Sequence, residues 1–434
     1  MSEEPVVDFD VIVVGAGVAG TVCAYQLAQA GHQVLLVERG QQPGAKNLSG
    51  GVFYCQVMEQ VFPGFAEIAP VERRVTRNCV SFLNQTAAVT IDYWDQRLAE
   101  PVNAVTVLRA KLDAWLSEQC EAAGVMVMPG VRVDELLIAD GAIVGIRAGE
   151  DELRAHVVVA ADGVNSFLAR QAGIRQQEPK QHLAVGVKSV IGLPRSVIED
   201  RFGVRGSDGV AYAMVGDCTQ GIAGGGFLYT NTESVSVGVV LRLDDLEASG
   251  QSSAEVHDHF LAHPAVAPLL EGGQLREYGC HLTIEAGPQM AAAPIARPGL
   301  LLVGDAAGLT LNTGLTIRGM DLAAGSAIAA ATVIGQALSE GDFSQASMDR
   351  YRAELNRSFV GADLKTYARA PRFLENPRMY QGYGDLLAEI FHQLFAMDLT
   401  PRKHAAVAAR QALRGSGLKL SSVVGDGFAG LRAL

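Results

Sequence analysis

A strand that runs straight into three spaced glycines, and from them into a helix, leaves a chain few folds to choose from. Here Phe9–Val14 (FDVIVV) reads as a buried strand, and Gly15-Ala16-Gly17-Val18-Ala19-Gly20 follows it. An apolar-faced helix spans Val22 to Ala30 and stops at Gly31; a second strand, Gln33 to Val37, ends on Glu38. This order predicts a βαβ unit that holds a dinucleotide. Gly15 permits the tight turn, Gly17 lets the backbone approach a pyrophosphate, and Gly20 lets helix and strand pack closely. The phosphates then meet the unpaired N–H groups of the helix N-terminus. Glu38, eighteen residues after Gly20, is placed to accept hydrogen bonds from ribose hydroxyls.

The chain has 434 residues, 49% of them hydrophobic, and 48 glycines, which suits more than one α/β unit with many tight turns. Its net charge of −12 argues against nucleic acid as a partner. The acidic start, Met1-Ser2-Glu3-Glu4, has no apolar core after it, so no secretory signal is expected. No run of about 18 uncharged apolar residues predicts a spanning helix, and Leu322 to Leu338 reads as a core helix. The expectation is a cytoplasmic protein, with peripheral contact to the cytoplasmic face of the membrane. Six cysteines without a CxxC pair predict free thiols and no built-in cluster or metal site.

Farther along, residues 79–93 alternate as two strands, and Arg109 opens an amphipathic helix with Leu112, Trp115 and Leu116 on one face. Short strands are predicted at 125–128, 131–137, 142–147 and 155–161, the last ending in Ala161-Asp162-Gly163. Strands at 183–192, 210–216, 222–230 and 234–243 read as an inserted antiparallel sheet, interrupted at Gly224-Gly225-Gly226 where a ligand comes close. The first unit resumes with the strand Gly299 to Val303 and Gly304-Asp305-Ala306-Ala307-Gly308. Helices are predicted at about 317–339, 345–360 and 379–397. Beyond Thr400 there are six basic residues and one acid, Asp426; Thr400-Pro401 predicts a helix start and Gly415 its stop. Such a basic helix suits an anionic lipid or an acidic partner, and equally a solvated surface.

The second glycine-acid motif says which dinucleotide is expected. A simple nicotinamide domain has no use for Gly304-Asp305 followed by Asn312-Thr313-Gly314-Leu315 and a helix. A flavin does: Asp305 can bind the ribityl chain, and backbone N–H groups at Gly314 and Leu315, at a helix start, can stabilise the charge gained at the pyrimidine end on reduction. An aspartate that merely caps a turn is the plainer alternative.

The whole set resembles the FAD-dependent family of p-hydroxybenzoate hydroxylase, geranylgeranyl reductases and electron-transfer-flavoprotein:ubiquinone oxidoreductases. GAGVAG, Glu38, Arg109, the ADG at 161–163 and GDAAG at 304–308 match in order and spacing. Lys46-Asn47-Leu48-Ser49-Gly50-Gly51 and Thr316-Ile317-Arg318-Gly319-Met320-Asp321 narrow the resemblance to the FixC group, as do Gly224 to Asn231 and Ala184 to Lys188. It covers nearly the whole chain and is weakest after about residue 398.

The resemblance implies an α/β fold: a doubly wound, Rossmann-like FAD domain of the p-hydroxybenzoate hydroxylase type (1–75, 104–178 and 290–340). An inserted β-sheet domain (76–103 and 179–289) would receive a quinone or other substrate, and a helical region (341–434) would carry the basic tail. It implies FAD held at its pyrophosphate by Gly15, Gly17, Ala19 and Gly20, at its ribose by Glu38, and at its ribityl chain by Gly304 and Asp305. Arg39 and the loop Lys46, Asn47, Leu48, Ser49, Gly50 and Gly51 would cover the phosphates and the isoalloxazine edge. Arg109 would neutralise the pyrophosphate or contact the ribityl region, a surface arginine at a helix start being the plainer alternative; Val133 would touch adenine, and Ala161, Asp162 and Gly163 would border the cleft, although Asp162 could equally cap the next helix. No nucleophile–base pair is legible, so the chemistry is expected to be the flavin's. The implied function is electron transfer from an electron-transfer flavoprotein of FixA/FixB type to a quinone, with a separate ferredoxin-like FixX carrying an iron–sulfur cluster, in support of electron bifurcation and nitrogen fixation. The rival readings are a geranylgeranyl reductase-like or aromatic-hydroxylase-like enzyme acting on a small molecule, and a scaffold that binds FAD for stability.

Overall fold

The computed structural model describes residues 7–45 and 51–434. Strands buried on both faces are near-continuous in Val, Ile and Leu, and three such runs form the centre of the first sheet. Phe9–Val14 lies between Val34–Glu38 and Asp151–Ala160, parallel to both, with Val11 opposite Val34 and Val157. Leu300–Leu302 adds in parallel beyond Asp151–Ala160, and Met126–Pro129 beyond Val34–Glu38. Two short antiparallel additions, Ala296–Arg297 and the hairpin Glu135–Ala139/Ala142–Ala148, complete eight strands. The helices Val18–Gln29, Arg109–Ala122 and Met320–Glu340 pack together beside this sheet. Met320–Glu340 is rich in alanine, so it approaches Val18–Gln29 closely and buries Leu322, Ala324, Ala327, Ala330 and Ile334. It is the one helix among the described residues long and apolar enough to cross a membrane, and most of its apolar stretch is buried within the molecule.

The second sheet has nine strands. From one edge the order is Gln274–Ile284, Leu183–Gly192, Ser234–Arg242, Gly224–Thr230, Asp208–Gly216, Val71–Leu83, Ala104–Val107 and Gly51–Tyr54, with Ala88–Trp94 also paired to Val71–Leu83. All its pairings are antiparallel except that of Asp208–Gly216 with Val71–Leu83. Its own core, around Val187, Leu228, Val237, Val239 and Phe260, lies under the helix Ser253–Ala262. The α/β class, the inserted sheet and the C-terminal helices therefore agree with the sequence reading.

Several local expectations do not. Strand Gln274–Ile284 was not anticipated, and residues 131–134 are not strand. The three glycines begin strand Gly224–Thr230 instead of interrupting the sheet. Close packing explains them: an added Cβ would lie 1.9 Å from Val240 O at Gly224, 2.9 Å from Met214 O at Gly225 and 2.8 Å from the Phe260 ring at Gly226. The predicted cap at Thr400-Pro401 is absent. Thr400 spends its N–H and hydroxyl on Asp398, and the helix begins at Ala405, ending on Gly415. A last helix, Leu420–Ala433, packs on Ala370–Leu374, and its Asp426 receives a bidentate pair from Arg378 at 2.7 and 2.6 Å.

Candidate functional site

The site is assembled where the parallel strands end. Gly15 leaves the first strand with φ +111°, and a Cβ there would meet Ala161 O at 2.3 Å. Ala161 N–H in turn donates to Val14 O at 2.9 Å, so the 161–163 motif is fastened beside the glycine turn. A Cβ at Gly20 would lie 1.8 Å from Gly15 O, whereas at Gly17 it would meet only Arg109 Nη2, at 3.5 Å. The turn is thus tightly packed beneath and open above, with a guanidinium facing the opening. Gly17 caps its helix without a side-chain acceptor, so first-turn N–H groups point at the same space. An open backbone cradle opposite an arginine is the donor set a pyrophosphate requires, and the residues present fit FAD on that ground.

Arg109 is no surface arginine. Its Nε and Nη2 donate to the two Asp113 oxygens, each at 2.8 Å, and the Asp113 carboxylate is fully buried. That pair fixes the fork at the helix start. Glu38 uses Oε2 to accept from Ala16 N–H at 3.0 Å and Oε1 to accept from Gly40 N–H at 2.6 Å. Each oxygen keeps a lone pair for a further donor. Arg39 beside it is exposed, and Val133 is half-buried in the irregular segment before Glu135–Ala139.

The distant Gly304-Asp305 motif closes on the same turn: a Cβ at Gly304 would lie 2.9 Å from Ala19 Cβ and 3.3 Å from Ala323 Cβ. Gly304 N–H donates to Ser326 Oγ at 2.9 Å. The Asp305 carboxylate accepts from Thr310 Oγ1 at 3.2 Å. Burial pushes this carboxyl up, against the pull of His281, Thr310 and Arg109 toward the charged form. Asp162 is bound locally: it accepts from Ser166 Oγ at 2.6 Å and Leu168 N–H at 3.1 Å, which caps the short helix Phe167–Gln171. Gly163 has φ +83° and open space around it. Gly51 begins a strand against Met320, while Lys46, Asn47, Leu48, Ser49 and Gly50 lie outside the described residues.

Gly314 and Leu315 differ from expectation. They form the turn of a small hairpin, Leu311–Asn312 with Ile317–Arg318, and the helix starts only at Met320. Gly314 N–H is taken by Asn312 Oδ1 at 2.8 Å and Leu315 N–H by Thr313 Oγ1 at 3.4 Å. The intervening hairpin, which the TIRG run hides in a helix-like reading, moves the helix dipole away from this turn.

The turn instead borders a cavity of about 150 Å³ between the hairpin, the glycines 224–226 and the C-terminal helices. Tyr54, Tyr229, Tyr380 and Leu315 line it, together with one acidic side chain, Glu285. Glu285 accepts from Asn312 Nδ2 at 3.1 and 3.3 Å. Burial pushes it up, only partly opposed by Asn312 and Arg242. Lys188 lies 5.7 Å from the Phe227 ring centroid; burial and the repulsion of Arg109 bring it down to about 8. Neither residue was among the sequence-predicted site residues. The available signal was a lone charge within or just after an apolar strand, LAVGVKSVIG and HLTIE.

Comparison with known proteins agrees with this geometry. Residues 10–101 match the model of the FAD dependent oxidoreductase family, and 370–434 match the ETF-QO/FixC family C-terminal domain, so similarity persists in the tail. The chain is 44% identical over 429 residues to a probable electron transfer flavoprotein-quinone oxidoreductase, YdiS, of Escherichia coli (strain K12), covering 98% of this chain and 99% of that one. It is 45% identical over 391 residues to the protein FixC of Salmonella typhi, covering 90% and 91%. In fold it is similar to a geranylgeranyl bacteriochlorophyll reductase-like protein from Thermoplasma acidophilum, with a TM-score of 0.70 at 20% identity over 96% and 98% of the two chains. A flavin-dependent brominase shares the fold with a TM-score of 0.63 at 17% identity, over 94% and 98%.

Proposed function

The chain belongs to the ETF-QO/FixC family, as an FAD-dependent oxidoreductase of electron transfer, and from this premise we propose that it takes electrons from an electron-transfer flavoprotein and passes them to a quinone. The observation that carries the reading is the cavity beside the cofactor cleft: it is largely apolar, lined by aromatic rings, and contains neither a lysine nor an arginine among its described lining residues. A neutral, planar ring with two carbonyl oxygens suits such a lining. FAD, when bound, supplies the two-electron chemistry; the chain binds it, orients it and limits access.

In this reading Gly15, Gly17, Ala19 and Gly20 hold the pyrophosphate with Arg109 opposite, and Glu38 takes the adenosine ribose through its free lone pairs. Gly304 and Asp305 hold the ribityl chain, whose isoalloxazine end meets the cavity beside the Gly314-Leu315 turn. Val133 touches adenine, and Ala161, Asp162 and Gly163 border the cofactor cleft. Arg39 and residues 46–51 cover the outer edge. The domain division 1–75, 104–178 and 290–340 against 76–103 and 179–289 belongs to the same proposal, as do a FixX-like ferredoxin partner, a place in electron bifurcation and peripheral membrane contact.

Anaerobic photoreduction followed by a short-chain quinone tests the core of this. Reoxidation of the flavin with formation of quinol is expected. Failure to reoxidise favours the scaffold reading. Hydroxylation of an aromatic acid with a nicotinamide donor and oxygen, at ordinary enzymatic rates, overturns the carrier reading.

A further inference from the structure

Glu285 is the one acidic side chain among the described residues lining the cavity, and it follows the edge strand Gln274–Ile284 directly. It is 8% exposed. Among the described residues its side-chain hydrogen bonds come only from the neutral Asn312 amide, through a single nitrogen shared by both oxygens. The cation that acts on it, Arg242, is committed elsewhere: its Nε donates to Asp244 at 2.8 Å and its Nη2 pairs with Asp245 at 2.9 Å. Tyr380, whose hydroxyl donates a hydrogen bond to Leu374 O, interacts electrostatically with Glu285, and Tyr54, Cys79, Tyr212 and Tyr229 are the other titratable side chains lining the cavity. Burial of a carboxylate that has no cation paired to it disfavours the charged form and shifts the group toward the acid. An uncharged carboxylic acid facing an apolar cavity is a proton donor in waiting.

We propose that Glu285 is a catalytic acid that protonates the quinone bound in this cavity. This deepens the quinone reading given above and rests on it. Conversion to quinol takes two electrons and two protons; both ring C=O groups become C–OH. FAD, if bound in its anionic reduced form, would supply both electrons and one proton. The second proton leaves Glu285 as its O–H bond breaks and a bond to the inner quinone oxygen forms. The resulting carboxylate regains a proton from solvent before the next turnover. Asn312 presents the acid and holds the carboxylate between those two events.

The test uses the FAD-loaded full-length protein and the Glu285→Gln variant, with Glu285→Asp as an acid-retaining control. Infrared difference spectra of the oxidised wild type across pH should contain a protonated-carboxyl band at neutral pH that Glu285→Gln lacks. Reoxidation by a water-soluble quinone should fall about a hundredfold in Glu285→Gln. Reoxidation by ferricenium, which takes electrons without protons, should be unchanged, and Glu285→Asp should recover part of the quinone rate. Equal quinone rates in wild type and Glu285→Gln, or no protonated band, overturn the proposal while leaving the quinone reading intact. A wild type that reduces ferricenium but no quinone overturns both. A parallel loss with both acceptors assigns Glu285 to cofactor binding and overturns its role as an acid.

Discussion

Gly17 and Gly20 stand three positions apart and lack a side chain for opposite reasons. At Gly20 a methyl group would sit 1.8 Å from Gly15 O, inside the protein's own backbone; at Gly17 it would point into the open cradle and touch only Arg109, at 3.5 Å. Gly20→Ala should therefore lower stability by roughly 1–3 kcal/mol or more and yield protein without flavin. Gly17→Ala should keep the melting temperature of the apoprotein and weaken FAD binding at least about tenfold, since only the ligand loses space. Flavin absorbance of the purified variants, with thermal unfolding of the apo forms, separates the two. Lys188 makes a second prediction. Its folded pKa, about 8, lies below the usual lysine value, so the free protein sheds this proton as pH rises through that range. An anionic cofactor nearby favours the charged form again. Binding of FAD at pH 8 should take up about half a proton, falling to none near pH 6 where the ammonium is already charged. Calorimetry in two buffers of different ionisation enthalpy reads this directly, and Lys188→Met should abolish it.

Among the elements, the helix Met320–Glu340 shows how small residues set an approach distance. A Cβ at Gly325 would lie 2.7 Å from Val360 Cγ2 and 2.8 Å from the Phe359 ring. Gly325→Leu should destabilise the protein by about 1–3 kcal/mol through this overpacking, visible as a lower denaturant midpoint. Such contacts are not written in a single chain. The glycine turn, Glu38, Arg109 and GDAAG were legible because each signal is local: a strand end, a glycine spacing, a helix start. Glu285 and Lys188 were not, because a charge on a strand declares a role only once the neighbouring strands show which side of the sheet holds the ligand. The parallel pairing of Asp208–Gly216 with Val71–Leu83 was hidden for the same reason: its partners are far apart in sequence. The hairpin at 311–318 was misread because two-residue strands leave no periodicity to count.

At the scale of the molecule, the C-terminal helices bring exposed apolar side chains beside exposed strand residues. Helix Tyr383–Phe395 packs against Val71–Leu83 and Ala88–Trp94. Phe395 is 74% exposed and Trp94 66%, and Phe391, Met397 and Leu399 are exposed as well. Arg402, Lys403, Arg410 and Arg414 follow within twenty residues of Phe395 on an otherwise acidic chain. Exposed aromatic and apolar groups followed in sequence by cations would suit an anionic bilayer surface. Replacing Phe391 and Phe395 with serine should reduce flotation with anionic vesicles by about tenfold or more while leaving flavin content unchanged; raising salt should release the wild type only in part.

The first parallel strand begins at Phe9, yet its sheet is completed by Leu300–Leu302 and its cradle is closed by Gly304 against Ala19. During synthesis the glycine turn emerges well before Ala161 beneath it and Gly304 beyond it. Loading with the yellow cofactor is therefore expected only after those later segments have emerged. Any nascent form truncated before that stage would carry the most recognisable motif in the sequence and hold nothing in it.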